Sequence, residues 1–193
     1  LQKGWIDYVV PQLYWERGHK LADYDVLLKW WNDYAYGKHL YIGHGIYRAG
    51  TNDAWKNNNQ IPDQINLLRS FTTTQGSVFY NSNTFAKNPN GWNDSLQNNY
   101  YKYPALVPPM PWLDDIAPDA PSIQKKGATN IVVNYNGKEK IKSFGIFSAP
   151  MGAKATAKNA QLIKLIIATK TSAIDITSIT HKKNNKLYVG SVD

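Results

Sequence analysis

The sequence predicts an α/β region followed by an all-β region. Three observations carry this reading. Strand-like apolar segments start near residues 6, 39 and 77, about 35 residues apart, the length of a strand–helix unit with its loops. Past Pro121 the pattern changes to short alternating strands. Charge and aromatic content change at the same place. Residues 1–116 hold ten Lys/Arg and ten Asp/Glu, all seven Trp and eleven of thirteen Tyr, whereas residues 117–193 hold twelve Lys, four acids and no Trp. Two regions of such different chemistry predict two domains, 1–116 and 117–193.

The first strand is predicted over residues 6–14. A helix follows over about 21–36, with Leu27, Trp30, Trp31 and Tyr34 at helical spacing and Gly37 as its stop. The second strand is predicted over 39–47. The second helix opens at Ile61-Pro62-Asp63 with proline in the first turn, passes through Ile65, Leu67, Leu68 and Phe71, and ends before Gly76. The third strand is predicted over 77–81 and a further helix over 92–101. Repeated strand–helix units imply parallel strands set side by side by right-handed crossovers.

Pro104, Pro108, Pro109, Pro111, Pro118 and Pro121 make the next stretch a partly rigid linker. Beyond it, strands are predicted over 122–125, 130–135, 142–148, 161–169, 173–177 and 186–192, with Asn136-Gly137 as a hairpin signal. They suggest an immunoglobulin-like or fibronectin-type sandwich. Seven strands are usual there and six can be counted, so the last is expected to be missing.

Composition narrows the function classes. Without cysteine there is no disulfide, thiol nucleophile or Cys-ligated zinc. His19, His39, His44 and His181 show no metal-ligand spacing, so no metal or other cofactor is expected. No apolar run approaches a membrane span. The positive charge of the second region is all lysine, at turns and strand ends. This favours edge protection over nucleic-acid binding.

The segment Trp5-Ile6-Asp7-Tyr8-Val9-Val10-Pro11-Gln12-Leu13-Tyr14-Trp15 resembles a signature of the glycosyl-hydrolase-like family ten barrel proteins. The Trp30-Trp31 pair, Leu40-Tyr41-Ile42-Gly43 with Tyr47-Arg48, the Gly76–Phe79 strand, Tyr103-Pro104-Ala105-Leu106 and Pro111-Trp112-Leu113 fit the same family. The segment 187–193 and Phe144-Gly145-Ile146-Phe147 resemble core strands of the fibronectin type III-like module that follows such barrels. The resemblance implies that the three strands are the sixth to eighth of a TIM (β/α)8 barrel. It also implies a bacterial glycoside hydrolase exported to the envelope (periplasmic, outer-membrane-associated or extracellular), acting on glycans such as peptidoglycan strands.

In such barrels chemistry sits at the C-terminal strand ends. Those ends hold Gln12, Tyr14, Trp15 and Glu16, then His44, Tyr47 and Arg48, then Tyr80 and Asn81. Tyr14, Trp15 and Tyr47 are candidate stacking rings, and Tyr80 is a further candidate substrate-binding residue. Gln12, His44, Arg48 and Asn81 are candidate hydrogen-bonding groups, and the planar fork of Arg48 suits a sugar carboxylate. Glycoside hydrolysis normally needs two carboxyl groups. Glu16 is the only acid just past a strand end and is the candidate catalytic residue. Asp7 starts its strand and Asp114-Asp115 lie in the linker. This chain by itself is therefore expected to have no hydrolase activity. Three strands also cannot close a barrel, so self-association as a dimer through the barrel-side face is expected. The competing class is a non-catalytic carbohydrate-binding or scaffold module.

Overall fold

The computed structural model describes residues 1–156, 159–169, 171–177, 179 and 182–193. His181, one of the histidines considered for metal binding, lies outside them. The chain forms two compact units, Leu1–Lys102 and Tyr103–Asp193. Residues 103–116, the first part of the proline-rich passage, therefore belong with the second unit, whereas the sequence reading placed them in the first.

The first unit carries a three-stranded parallel sheet of β1 (Tyr8–Val9), β2 (His39–His44) and β3 (Thr74–Phe79), in that order. The predicted strand over 6–14 survives only in part. Tyr8 pairs with His39 and Val9 with Leu40, and the same register resumes at Gln12 opposite Gly43. Pro11 lacks the N–H that a continuous ladder needs. Its carbonyl still accepts from Gly43 N at 2.9 Å, and Leu13 N donates to Gly43 O at 3.0 Å. Direction and register thus persist across the break.

Helix α1 (Tyr24–Asp33) is shorter than predicted at both ends. Asp23 caps it, its carboxylate accepting from Asp25 N at 3.0 Å and from Gly18 N at 2.9 Å. The buried residues of α1 are Tyr24 and Leu28, flanked by Leu27 and Trp31; Trp30 and, at the cap, Tyr34 remain half exposed, and Ala35 is buried just beyond the helix. Next come α2 (Asp53–Lys56) and α3 (Gln60–Leu68), which buries Ile61, Ile65 and Leu68. Gly76 lies inside β3 opposite Tyr41 and does not end a helix; α3 stops at Leu68, and β3 opens at the β-branched Thr74. A short α4 (Ser82–Ala86), α5 (Trp92–Ser95) and a π-turn (Leu96–Tyr100) complete the unit.

One sheet face is covered. Val9, Leu40, Ile42 and Phe79 point into a core with Leu28, Ile61, Ile65, Trp55 and Trp92. The opposite face carries Tyr8, Tyr41 and Val78. Tyr8 and Tyr41 meet edge to face at 5.9 Å, and Tyr8 and Val78 are about half exposed.

The second unit is a sandwich of two antiparallel sheets. One has the order β4 (Ser122–Lys126), β5 (Asn130–Asn134), β8 (Thr171–Asp175); the other β7 (Gln161–Ile167), β6 (Ser143–Pro150), β9 (Asn185–Val192). Val133 and Ile174 from the first sheet meet Phe144 and Ile146 from the second in one core. All six predicted strands are present. The predicted hairpin at Asn136-Gly137 is not, because β5 and β6 belong to different sheets and this segment crosses between them. Gly137 is needed there for another reason: a Cβ on it would come within 2.8 Å of three atoms of the Tyr135 ring and hydroxyl.

Candidate functional site

Because β1, β2 and β3 run the same way, the residues that follow them emerge at one end of the sheet. Tyr14, Tyr47 and Tyr80 meet there. Tyr14 and Tyr80 stack with centroids 5.8 Å apart and planes 28° apart, and Tyr47 stands edge-on to both, also at 5.8 Å. Tyr47 and Tyr80 are 42% and 52% exposed, so two ring surfaces reach solvent.

Two glycines of the β2 end make room for this cluster. A Cβ on Gly45 would lie 3.0 Å from Tyr14 Cβ and 3.3 Å from the Tyr47 ring. A Cβ on Gly43 would lie 3.0 Å from Pro11 O and 3.4 Å from the Tyr14 ring. Burial, then the neighbouring Tyr47 and Tyr80, push the Tyr14 hydroxyl pKa up, so it stays protonated at neutral pH and keeps its donor. Gly45→Ala is expected to displace Tyr14 and alter the near-ultraviolet circular dichroism of the tyrosines while leaving the far-ultraviolet spectrum unchanged. An unchanged near-ultraviolet spectrum would show that the cluster does not depend on this close approach.

Glu16 faces the loop after β2. Its Oε2 accepts from Trp55 Nε1 at 2.9 Å and its Oε1 from Asn52 Nδ2 at 3.3 Å. Burial pushes its pKa up. The hydrogen bonds from its own backbone, Trp55 and Asn52, together with His19, outweigh this and hold it below the ordinary carboxylate range. Glu16 is therefore a carboxylate at neutral pH, with both oxygens engaged. It ties the segment after β1 to the buried Trp55. Glu16→Ala leaves the Trp55 N–H without its acceptor and is expected to cost about 1–3 kcal/mol in urea unfolding, with Glu16→Gln recovering part of the loss. A Glu16→Ala variant as stable as the unsubstituted chain would show that the tether contributes nothing.

Arg48 sits on the same tryptophan, its guanidinium carbon 5.9 Å from the Trp55 ring centroid. Its Nε is buried and has no hydrogen-bond acceptor among the described residues. Gln12 is exposed at its bridge to Gly43, and Trp15 is half buried. Asn81 caps α4, its Oδ1 accepting from Thr84 N at 2.9 Å.

His44 is a different case. The sequence reading set it beside substrate, but it is fully buried between Tyr24 and Phe79. Its Nδ1 pairs with Gln64 Oε1 at 2.8 Å and its Nε2 with Ser77 Oγ at 3.0 Å. Burial lowers its pKa to about 4, so the ring is neutral and has no surface to offer a sugar. The reason is strand alternation: Leu40, Ile42 and His44 share the helix-covered face. Gln64 in turn donates from Nε2 to Trp15 O at 3.1 Å, so a buried polar chain joins β2, α3 and the segment that carries Trp15.

Gln64, Trp55 and Asn52 were not among the residues singled out from sequence. Gln64 had a signal: it is a polar side chain in the stripe Ile61, Ile65, Leu68, where burial demands a partner. Asn52 had the residue type of a helix cap, and it caps α2 by accepting from Trp55 N at 3.0 Å.

No family model matches the chain. It is 41% identical over 129 residues to a Bacillus subtilis protein named Glycosyl hydrolase YngK, an alignment that covers 65% of this chain and 25% of that protein. It is 32% identical over 89 residues to Glycosyl hydrolase DigH of Escherichia coli K12, covering 42% of this chain and 20% of that protein. DigH of a uropathogenic Escherichia coli strain matches to the same extent. The chain spans a quarter or less of the length of these curated relatives, and over part of its own length it is similar to proteins named glycosyl hydrolases.

Proposed function

We propose that this chain is part of a bacterial glycoside hydrolase of the family ten-like kind, in which Tyr14, Tyr47 and Tyr80 hold the glycan. The tyrosine cluster at the shared end of three parallel strands carries the reading. Flat, partly exposed rings stack on sugar faces, and their hydroxyls bond to sugar hydroxyls. The parallel strand–helix units support a (β/α)8 barrel as the parent fold, whose active sites form at that end. The two-sheet order of the second unit supports a fibronectin type III-like module. The named relatives support the reaction class.

Arg48 supplies the one substrate detail. A guanidinium with an unused buried N–H accepts an anionic group, and a carboxylate borne on a sugar fits its fork. Peptidoglycan glycan strands offer such a carboxylate, and a substrate of this kind sits in the bacterial envelope. Glu16 remains the acid nearest the strand ends. Its lowered pKa suits a charge-stabilising or nucleophilic role and not that of a general acid. Hydrolysis requires a second carboxyl group, which these strand ends do not provide.

Two measurements test this. Titration with denuded peptidoglycan oligomers is expected to show binding that Tyr47→Ala and Tyr80→Ala each weaken about tenfold, with no turnover by this chain alone. Unaltered binding in both variants would remove the tyrosine cluster from the site, and turnover would show a complete catalytic pair within these residues. We further propose that the chain pairs with a second copy through the half-exposed face of Tyr8, Tyr41 and Val78. Light scattering on a sizing column is expected to give twice the monomer mass, and Val78→Lys is expected to return the monomer; a monomer before substitution refutes the pairing.

A further inference from the structure

We propose that the second unit carries a separate sugar-binding cleft, lined by Tyr103, Ser148, Gln161, Lys182 and Asn185, that binds a glycan without cleaving it. The inference extends the glycan reading above and uses none of its residues.

The cleft has a volume of about 430 Å³, within the usual range for small-ligand sites. It lies where the end of β6 meets the beginnings of β7 and β9. Antiparallel pairing brings these together: Ser148 is opposite Gln161, and Pro150 is opposite Asn185. The inward row of β6 runs Phe144, Ile146, then Ser148, so the core ends in a hydroxyl that is 3% exposed. Such a group must be bonded. Asn185 Nδ2 donates to Ser148 Oγ at 2.9 Å, which holds the Asn185 amide and leaves its carbonyl oxygen outside that bond. Gln161 is held in the same way, donating from Nε2 to Leu162 O at 3.1 Å. Asn159, also on the rim, is pinned by Thr156 N at 2.7 Å and Lys154 O at 3.0 Å.

The result is three planar amides in fixed positions, a hydroxyl, one lysine and the ring of Tyr103, which is 44% exposed. Fixed amides recognise hydroxyl and N-acyl groups at little entropic cost, and the ring offers a stacking face. This is a saccharide-binding set. No carboxylate lines the cleft among the described residues, so the two carboxyl groups of glycoside hydrolysis are not there. Lys182 is the only charged lining group among the described residues and favours a sugar bearing a carboxylate.

Amide chemical-shift mapping of the full chain decides the matter, with the tetramers of N-acetylglucosamine and of galacturonic acid as probes. Both are expected to perturb residues 148–150, 161–163 and 182–185. The uronate is expected to bind several-fold more tightly, an advantage lost in salt and in Lys182→Gln. Tyr103→Ala is expected to weaken both about tenfold, and Tyr103→Phe to keep them. Shifts confined to the surroundings of Tyr47 and Tyr80 would overturn the cleft and leave the first site standing. Shifts at the cleft alone would sustain it and overturn that first site. Absence of shifts at either place up to probe solubility would overturn both, as would cleft shifts that Tyr103→Ala leaves unaltered overturn the cleft.

Discussion

Phe144→Ala is expected to unfold the second unit and leave the first folded. Phe144 is fully buried at the centre of the sandwich, against Val133, Ile146 and Ile174. Truncating a buried phenylalanine costs about 3–5 kcal/mol. A domain of this size has a total stability of only about 5–15 kcal/mol, and small sandwiches lie toward the lower end. The first unit has its own core of Leu28, Leu40, Ile42, Trp55, Ile61 and Trp92. Tryptophan fluorescence separates the two, because six of the seven Trp lie within residues 1–102. The expected result is loss of sandwich amide protection with an unchanged tryptophan unfolding curve. A tryptophan transition that shifts with the sandwich would show that the two units fold as one.

Acid is expected to weaken the first unit well before the carboxylates titrate. His44 is buried as the neutral ring, with its pKa lowered from 6.5 to about 4 by burial, which the Gln64 bond only partly offsets. Below pH 6.5 the unfolded chain binds a proton that the folded chain refuses. Stability is therefore full above that pH and falls as pH drops toward 4, where the folded-state histidine also protonates. The loss is about 2 kcal/mol at pH 5 and about 3 kcal/mol by pH 4. Glu16 adds to it once pH falls into the ordinary carboxylate range, because the unfolded chain protonates there while the folded carboxylate, its pKa lowered, stays charged. Urea midpoints followed by tryptophan fluorescence at pH 7, 6 and 5 measure the slope. His44→Gln is expected to flatten it, whatever the substitution costs at pH 7. A slope that persists in that variant would assign the acid sensitivity to another group.

Much of the strand layout was legible because it rests on local signals. Alternation located all six strands of the second unit, and the spacing of apolar segments indicated three parallel strands, of which the first keeps only Tyr8–Val9 of the expected 6–14 and the third lies at Thr74–Phe79, not 77–81. Errors arose where a residue has more than one use. Gly76 reads as a helix stop but fits a strand beneath Tyr41, and Asn136-Gly137 reads as a hairpin but lies on a crossover between sheets. In each case a long-range partner decided the outcome, and no window of sequence contains it.

The candidate site divides along the same line. That the residues following the three strands share one end of the sheet was expected from the sequence, since parallel strands must end on one side; that Tyr14, Tyr47 and Tyr80 meet there ring to ring came from the tertiary structure. Strand parity alone also determined that Tyr41 and Ile42 face opposite ways. Only the tertiary structure decided that His44 is core and not site, because which face the helices cover is a packing outcome. It likewise decided that Glu16 is bonded to Trp55 and Asn52, residues 39 and 36 positions away. A carboxylate's role depends on what surrounds its oxygens. Those neighbours come from a loop whose path is set by the burial of Trp55, an energy that no local pattern encodes.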